Sequence, residues 1–232
     1  MDCGNAPPRE GLKREPAIDG DRSMNRRAWV LATLVACSTA AAPAFAGKVD
    51  FRGERASAEA RDVAAWISRS GDARGKPFAI VDKKAAQVFV FDARHRLVGA
   101  SAALLGQTVG DHTVEGVGER AQVGKVGLHE RTTPAGRFES VPGRNLDGED
   151  IIWLDYEAAL AIHRVRPGAA LADRLARLAS PTPADNRASL GCVVVPVSFY
   201  LGVVQPVLGS VRGVVYILPE TRTADGLLPP RV

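Results

Sequence analysis

A cysteine and a histidine are the residues of this chain whose chemistry could drive a covalent reaction. Cys192 lies in a turn of small residues that runs into an apolar stretch, with the sequence SLGCVVV over residues 189–195. A thiol has a usual pKa of about 8.5 and needs a base to become a nucleophile at neutral pH. His163 ends the apolar run 160–162 and is the candidate for that base. The pair predicts nucleophilic catalysis in which the histidine later protonates the leaving group.

The residues next to the cysteine could stabilise the charge that such a reaction develops. Gly191 has no side chain to obstruct a substrate, and it lets the backbone turn sharply. Together with Ser189 and the Cys192 N–H group, it is a candidate for oxyanion or substrate binding. The alternative is structural: Cys192 would be an inert buried thiol among valines, and His163 a half-buried histidine with satisfied hydrogen bonds.

The other histidines are weaker candidates for a catalytic or metal-binding role. His95 and His112 stand in polar turns and are expected to be solvated. His129, His163 and Cys192 could supply three zinc ligands, but none of them has the close spacing typical of zinc sites. We therefore expect neither a metal nor a cofactor.

The N-terminal region predicts export. From Met24 two arginines precede an apolar run over residues 28–42, and Ala44-Phe45-Ala46 follows, which is the layout of a secretory signal peptide. Translation is expected to start at Met24, with cleavage after Ala46 and release into the periplasm. The alternative is a lipoprotein anchored at Cys37. Of the 3 cysteines, only Cys192 remains after cleavage at Ala46, which indicates a reactive thiol or pairing with another molecule.

The length and charge of the chain indicate how many domains it has and which classes of partner it could bind. The chain has 232 residues and a formal net charge of +4, with its basic residues dispersed along the sequence. One domain with a sizeable core suits the mature length. Without a basic block or interleaved aromatic residues, a nucleic-acid partner is not indicated.

The elements that must position the two residues are mainly short apolar runs of strand type. Two helices are expected from apolar spacing, and the glycine-rich region 106–127 is expected to be a long loop or irregular hairpin. The expected helices are 56–70, 169–179 and, begun by Pro196, a third that reaches residue 208; the expected strands are 78–81, 87–91, 96–105, 137–141, 151–154, 159–163, 190–195 and 213–218.

Four motifs in order resemble the L,D-transpeptidase catalytic domain family. They are the strand-ending histidine in AIH, residues 161–163; the cysteine segment SLGC, residues 189–192; TPAGRF, residues 133–138; and the hairpin FAIVD with QVFVF, residues 78–82 and 87–91. The resemblance covers residues 78–218. It implies a mostly β fold, a β-sandwich with a few peripheral helices, preceded by a helical segment over 47–77 and followed by a tail over 219–232.

The resemblance also implies a reaction. Cys192 would attack the meso-diaminopimelate carbonyl of a peptidoglycan stem peptide, release terminal D-Ala and hold the stem as a thioester. His163 would act as base and acid, and an amine would resolve the thioester. A second stem, a cell-wall-linked protein's lysine, another amine or water could be the acceptor. Such an enzyme would serve peptidoglycan biosynthesis, and with it cell wall biogenesis and cell shape.

Two positions depart from the family's pattern. Leu190 stands where the family has histidine, and Val194 where it has arginine or asparagine. The segment 164–188 is also longer than in the family. Three hypotheses therefore stay open: a divergent transpeptidase, an L,D-carboxypeptidase or endopeptidase on the same scaffold, and a catalytically silent wall-binding protein.

Overall fold

A large mixed β-sheet organises the domain. A computed structural model describes residues 49–224. The N-terminal extension, the expected signal peptide and the lipidation alternative at Cys37 lie outside these residues. Along the described chain the elements are α1 (Ala58–Ser70), β1 (Phe78–Asp82), β2 (Gln87–Phe91), β3 (Leu97–Ala102), β4 (Leu105–Gly106), α2 (Val117–Gln122), a 3₁₀ helix (Leu128–Glu130), β5 (Gly136–Arg144), β6 (Asp150–Asp155), β7 (Leu160–Arg164), α3 (Leu171–Ala179), a 3₁₀ helix (Pro183–Asn186), β8 (Arg187–Ser189), β9 (Val193–Val195), α4 (Val197–Phe199), a π-helical turn (Tyr200–Val204), α5 (Gln205–Leu208) and β10 (Gly213–Ile217).

Eight of these strands form one mixed sheet in the order β3-β2-β1-β10-β5-β6-β7-β9. The pairs β1–β10 and β7–β9 are parallel, and the other neighbours are antiparallel. Just beyond β3, Leu104 exchanges two backbone hydrogen bonds with Val194 of β9, at 2.7 and 2.9 Å. The sheet therefore curls until its two edge strands nearly meet, which protects both edges from pairing with other chains.

The curled sheet encloses an apolar core between two facing layers. Val88 and Val90 of β2 share this core with Val193 and Val195 of β9, although the two strands lie at opposite ends of the sheet. The helical segment after β9 closes the core with buried Tyr200, Val204 and Leu208. The mostly β, sandwich-type fold with few helices that the sequence predicted is confirmed.

Helix α1 forms where the sequence predicted it. The Ser57 hydroxyl caps its first turn by accepting from Ala60 N at 3.0 Å, and Gly71 ends it in the left-handed conformation, at φ 67°. Val63 and Ile67, four residues apart, are buried against the outer face of β1, β2 and β10. The helical lead-in thus shares a core with the sheet.

Three details differ from the expectations. Helix α2 lies inside the region expected to be a long loop, because Val117 and Ala121 are spaced by one helical turn and both are buried. The strand expected from residue 190 begins only at Val193, since residues 190–192 form a turn. In α3 the apolar face is only partly covered: Leu178 is buried, but Leu175 is 46% exposed.

Within residues 49–224, no helix combines the length and apolar composition that crossing a membrane requires.

Candidate active site

The two sequence-predicted catalytic residues lie on neighbouring parallel strands. In the register of β7 and β9, Ile162 pairs with Val193 and His163 with Val194. Cys192 is one residue before β9 and lies beside Ala161. Paired residues, and residues two apart along a strand, share a face of the sheet. His163 and Cys192 therefore lie on the same face, offset by two residues.

Cys192 lines a small cleft with an accessible volume of about 20 Å³, which is room for about one water molecule. The cysteine is 1% exposed, and its Sγ lies 3.3 Å from the carbonyl oxygen of Ala159. The cleft walls come mainly from four places, which are α2, the Thr132–Pro134 segment, residues 158–160 and residues 190–192; Thr113 and Glu130 also line the cleft. His163 is not among the lining residues. The cleft therefore opens over the start of β7, whereas His163 lies near the end of that strand.

Cys192 takes part in a disulfide in this structure. The other cysteines of the chain, Cys3 and Cys37, lie outside the described residues. Nucleophilic chemistry needs the reduced thiolate. Cleavage after Ala46, as the sequence predicts, would remove both other cysteines from the mature protein.

His163 is held in one tautomer. Its side chain is buried, and Nδ1 lies 2.8 Å from the carbonyl oxygen of Arg164. Because a carbonyl oxygen only accepts, Nδ1 carries the proton and Nε2 carries the lone pair. Nε2 is therefore the atom that can accept a proton.

Ser189 shapes the turn that carries the cysteine. Its buried hydroxyl accepts from Gly191 N at 3.1 Å and donates to the Cys192 carbonyl at 2.6 Å. A hydroxyl has a single proton, and here that proton goes to the backbone. The observed contacts of Ser189 are thus with the turn itself.

The backbone at position 191 accommodates glycine but not a residue with a side chain. Its φ of 143° is rarely adopted by residues with a side chain, and an added Cβ would lie 2.8 Å from the Thr132 carbonyl oxygen. The segment before the cysteine therefore packs directly against the backbone of the Thr132–Pro134 segment.

Thr133 belongs to the site, and the sequence reasoning had used it only as part of a motif. The residue is fully buried, and its hydroxyl donates to the Gly191 carbonyl at 2.8 Å and accepts from Gly106 N at 2.8 Å. The hydroxyl thus joins β4, the Thr132–Pro134 segment and the cysteine turn. The Thr-Pro pair in the TPAGRF stretch was the signal that could have identified it.

Charged side chains that were not predicted from the sequence form a buried cluster next to this threonine. The Lys83 ammonium, 0% exposed, donates to the carbonyls of Gly110 and Thr133 at 2.5 and 2.7 Å and to Asp111 at 2.7 Å. Glu220 lies 3.4 Å from the same ammonium and is paired with Arg187 of β8. We call Lys83, Asp111, Arg187 and Glu220 the buried ionic cluster.

Asp111 is ionised within this cluster. Burial alone would raise its pKa, but the Lys83 ammonium, the Thr221 hydroxyl and the backbone N–H groups of Glu220 and Thr221 all bind the carboxylate. Together these donors hold the pKa of Asp111 well below its usual range. The charge of Lys83 is thus balanced where it is buried, as the burial of an ammonium requires.

The two positions that depart from the family's pattern lie close to the thiol. Leu190 lines the cleft. Val194 is buried in the core, and in the pairing of β7 with β9 it lies opposite His163. Leu190 thus contributes apolar surface to the cleft, whereas Val194 is not among the residues that line it.

Metal-binding side chains do not assemble in the described residues. Between residues 49 and 224, no group of three histidine, cysteine, aspartate or glutamate side chains could hold an ion. His129 is exposed on the 3₁₀ helix over residues 128–130.

Comparison with known proteins gives matches at the level of solved structures. No family model matches the chain, and no curated protein does. The chain is similar to the catalytic domain of an L,D-transpeptidase from E. faecium, with 16% identity over 62% of this chain and 98% of that one and a TM-score of 0.34. An L,D-transpeptidase from Xylanimonas cellulosilytica matches with 18% identity over 61% of this chain and 60% of its own, at a TM-score of 0.35.

A third match is the helical cell shape determining protein from Campylobacter jejuni. It shares 15% identity over 68% of this chain and 55% of its own, at a TM-score of 0.41. The chain thus spans little more than half of this protein. The first two matches belong to the family that the four sequence motifs resemble.

Proposed function

We propose that the protein is an exported, cysteine-dependent L,D-transpeptidase that acts on peptidoglycan stem peptides. The observation that supports this most is the placement of Cys192 in a cleft, on a turn that Ser189 and Thr133 hold by hydrogen bonds, with His163 on the same face of the neighbouring strand. The order of the four sequence motifs supports the substrate class.

The reaction would begin with transfer of the Cys192 proton to His163 Nε2. The thiolate attacks the meso-diaminopimelate carbonyl carbon, and a C–S bond forms as the carbonyl oxygen gains negative charge. The Cys192 N–H group is the candidate donor to that oxygen. Collapse of the intermediate breaks the C–N bond, and the D-Ala amine leaves with the proton from His163.

In the second half-reaction, an acceptor amine would release the stem peptide from the cysteine. His163 takes a proton from the acceptor amine, the amine attacks the thioester carbonyl, and the C–S bond breaks. The cysteine thiolate then regains its proton from the imidazolium. Water in place of the amine would give the carboxypeptidase or endopeptidase reaction.

Incubation with purified muropeptides tests this proposal. The full-length chain, reduced with dithiothreitol, is expected to release D-Ala and to form cross-linked dimers, detected by intact mass of the products. Cys192→Ala is expected to form none of these products while keeping its fold. Retained turnover in Cys192→Ala would exclude covalent catalysis at this residue, and hydrolysed monomers alone would assign the water-dependent reaction.

One observation favours the silent wall-binding alternative. Cys192 is disulfide-bonded and almost fully buried, and its Sγ contacts a backbone carbonyl, so that a substrate carbonyl has little access to the sulfur. A folded, reduced protein that binds peptidoglycan but leaves muropeptides unchanged would establish this alternative.

A further inference from the structure

The direction of the Cys192 N–H group is fixed by side chains that lie outside the cleft. A trans peptide is planar, and its C=O and N–H bonds point in opposite directions. All peptides in the described chain are trans. The Gly191 carbonyl is bound by the Thr133 hydroxyl at 2.8 Å. Thr133 therefore sets the orientation of the peptide plane that carries the Cys192 N–H group.

The position of Thr133 is in turn fixed by Lys83. Lys83 Nζ donates to the Thr133 carbonyl at 2.7 Å, and the buried ionic cluster keeps that ammonium in place. On the other side, the threonine hydroxyl accepts from Gly106 N, which leaves its proton directed to Gly191. A continuous path of contacts thus runs from Lys83 through Thr133 to Gly191 and the Cys192 peptide.

We propose that Lys83 and Thr133 are positioning residues that aim the Cys192 N–H group at the oxyanion of the reaction. The inference rests on the proposed function, because an oxyanion forms only if Cys192 attacks a carbonyl. Neither residue needs to touch the substrate. Their effect is confined to steps in which negative charge develops on a carbonyl oxygen.

Two reagents separate positioning from a purely structural role. Meropenem acylates a thiolate through an oxyanion: a C–S bond forms, the lactam C–N bond opens, and the lactam nitrogen takes up a proton. Iodoacetamide alkylates the same thiolate by displacement of iodide at a CH₂ carbon, so that no oxyanion develops. Loss of a properly aimed N–H donor should slow only the first reaction.

The experiment measures both rates at Cys192 on reduced full-length protein, by mass analysis of the proteolytic peptide that carries this residue, because the chain has 3 cysteines. Thr133→Val, which keeps the side-chain shape and removes the hydroxyl, is expected to slow acylation by about 10²-fold, the effect of losing one oxyanion donor. Its alkylation rate is expected to match that of the wild type. Thr133→Ser, which retains the hydroxyl, is expected to restore acylation.

Thr108→Val is the matched control, because it removes a threonine hydroxyl that donates to a different carbonyl, that of Leu128. It is expected to leave both rates unchanged. If Thr133→Val does not fold, Lys83→Met replaces it, with the same expected separation of the two rates.

Each outcome has one meaning. A wild type that meropenem does not acylate overturns the proposed function and this inference together. A wild type that is acylated, with Thr133→Val acylated equally fast or with both rates lowered equally, overturns the positioning role alone. A loss confined to acylation supports it.

Discussion

At the scale of single residues, Gly191 has little freedom to change. A methyl group there would lie 2.8 Å from the Thr132 carbonyl oxygen, at a φ of 143° that disfavours side chains. We expect Gly191→Ala to lower the free energy of unfolding by roughly 1–3 kcal/mol and to abolish acylation of Cys192, because the turn must move. Urea denaturation and intact mass with meropenem measure the two effects.

Gly202→Ala is the control for this change. Gly202 lies in the π-helical turn, and an added methyl group would meet no atom within 4 Å. We expect unchanged acylation, and stability equal to or slightly above that of the wild type, because alanine favours helical backbone. Equal behaviour of the two variants would contradict the strain assigned to Gly191.

His163 is the second residue that can be tested alone. We expect His163→Ala to lower the rate of Cys192 acylation by at least ~10²-fold, because general base catalysis contributes that much. The variant should also shift the pH profile of thiol alkylation towards that of an ordinary cysteine. His129→Ala, which removes an exposed histidine, is expected to change neither. An unchanged pH profile in His163→Ala would mean that another group is the base.

At the scale of elements, helix α2 forms a wall of the cleft through an unusually close contact. Gly118 packs on the Glu157 carbonyl oxygen, and an added Cβ would lie 2.1 Å from it. We expect Gly118→Ala to destabilise the fold by about 1–3 kcal/mol through overpacking, and to slow acylation by moving α2 away from residues 158–160. Thermal unfolding and acylation rates measure this. Glu119→Ala, an exposed change in the same helix, should leave the acylation rate unchanged.

The regular elements were predictable from local sequence, but α2 was not. Alternating or continuous apolar runs marked the strands, and the spacing of Val63 and Ile67 marked α1. In contrast, α2 has only two buried side chains larger than glycine, and it begins after Gly116 at φ 70°. Two apolar residues are too few to reveal a helical period, so the many glycines of the region predicted a loop. Packing against Glu157–Ala159, which no local pattern encodes, stabilises this helix.

The site was predictable only in part, for a related reason. Cys192 and His163 were recognisable from their neighbours in sequence and from the family resemblance. Their relative placement depends on the parallel pairing of β7 and β9, which the long connection through α3 permits. Lys83, Asp111 and Glu220 come from distant parts of the chain, and a buried ionic cluster has no periodicity that would reveal it.

At the scale of the whole molecule, the buried ionic cluster should make the free energy of unfolding depend on pH in the acidic range. The pKa of Asp111 is lowered on folding, so its contribution is complete above the unfolded pKa, about 3.9, and is lost as pH falls towards the folded value. We expect the free energy of unfolding, measured in urea, to fall between pH 5 and pH 3. Asp111→Asn should be less stable than the wild type at pH 7 and should show a flatter dependence over the same interval.

Asp147→Asn is the control, because Asp147 is exposed in the turn between β5 and β6. It should keep the wild-type slope. A wild-type slope in Asp111→Asn would show that other carboxylates govern the acid response.

The position of β10 has a consequence for how the chain acquires its structure during synthesis. This strand is the last one along the described chain, yet it lies in the middle of the sheet, parallel to β1 and antiparallel to β5. Until it emerges from the ribosome, the sheet lacks the strand that joins β1 to β5, and only residues 104–106 pair with the later strands β8 and β9. We expect a chain that stops at Arg212 to be digested by protease as an unfolded polypeptide, whereas one that extends through residue 224 resists. Such a result would mean that the growing chain gains protease resistance only when almost its whole length has been made.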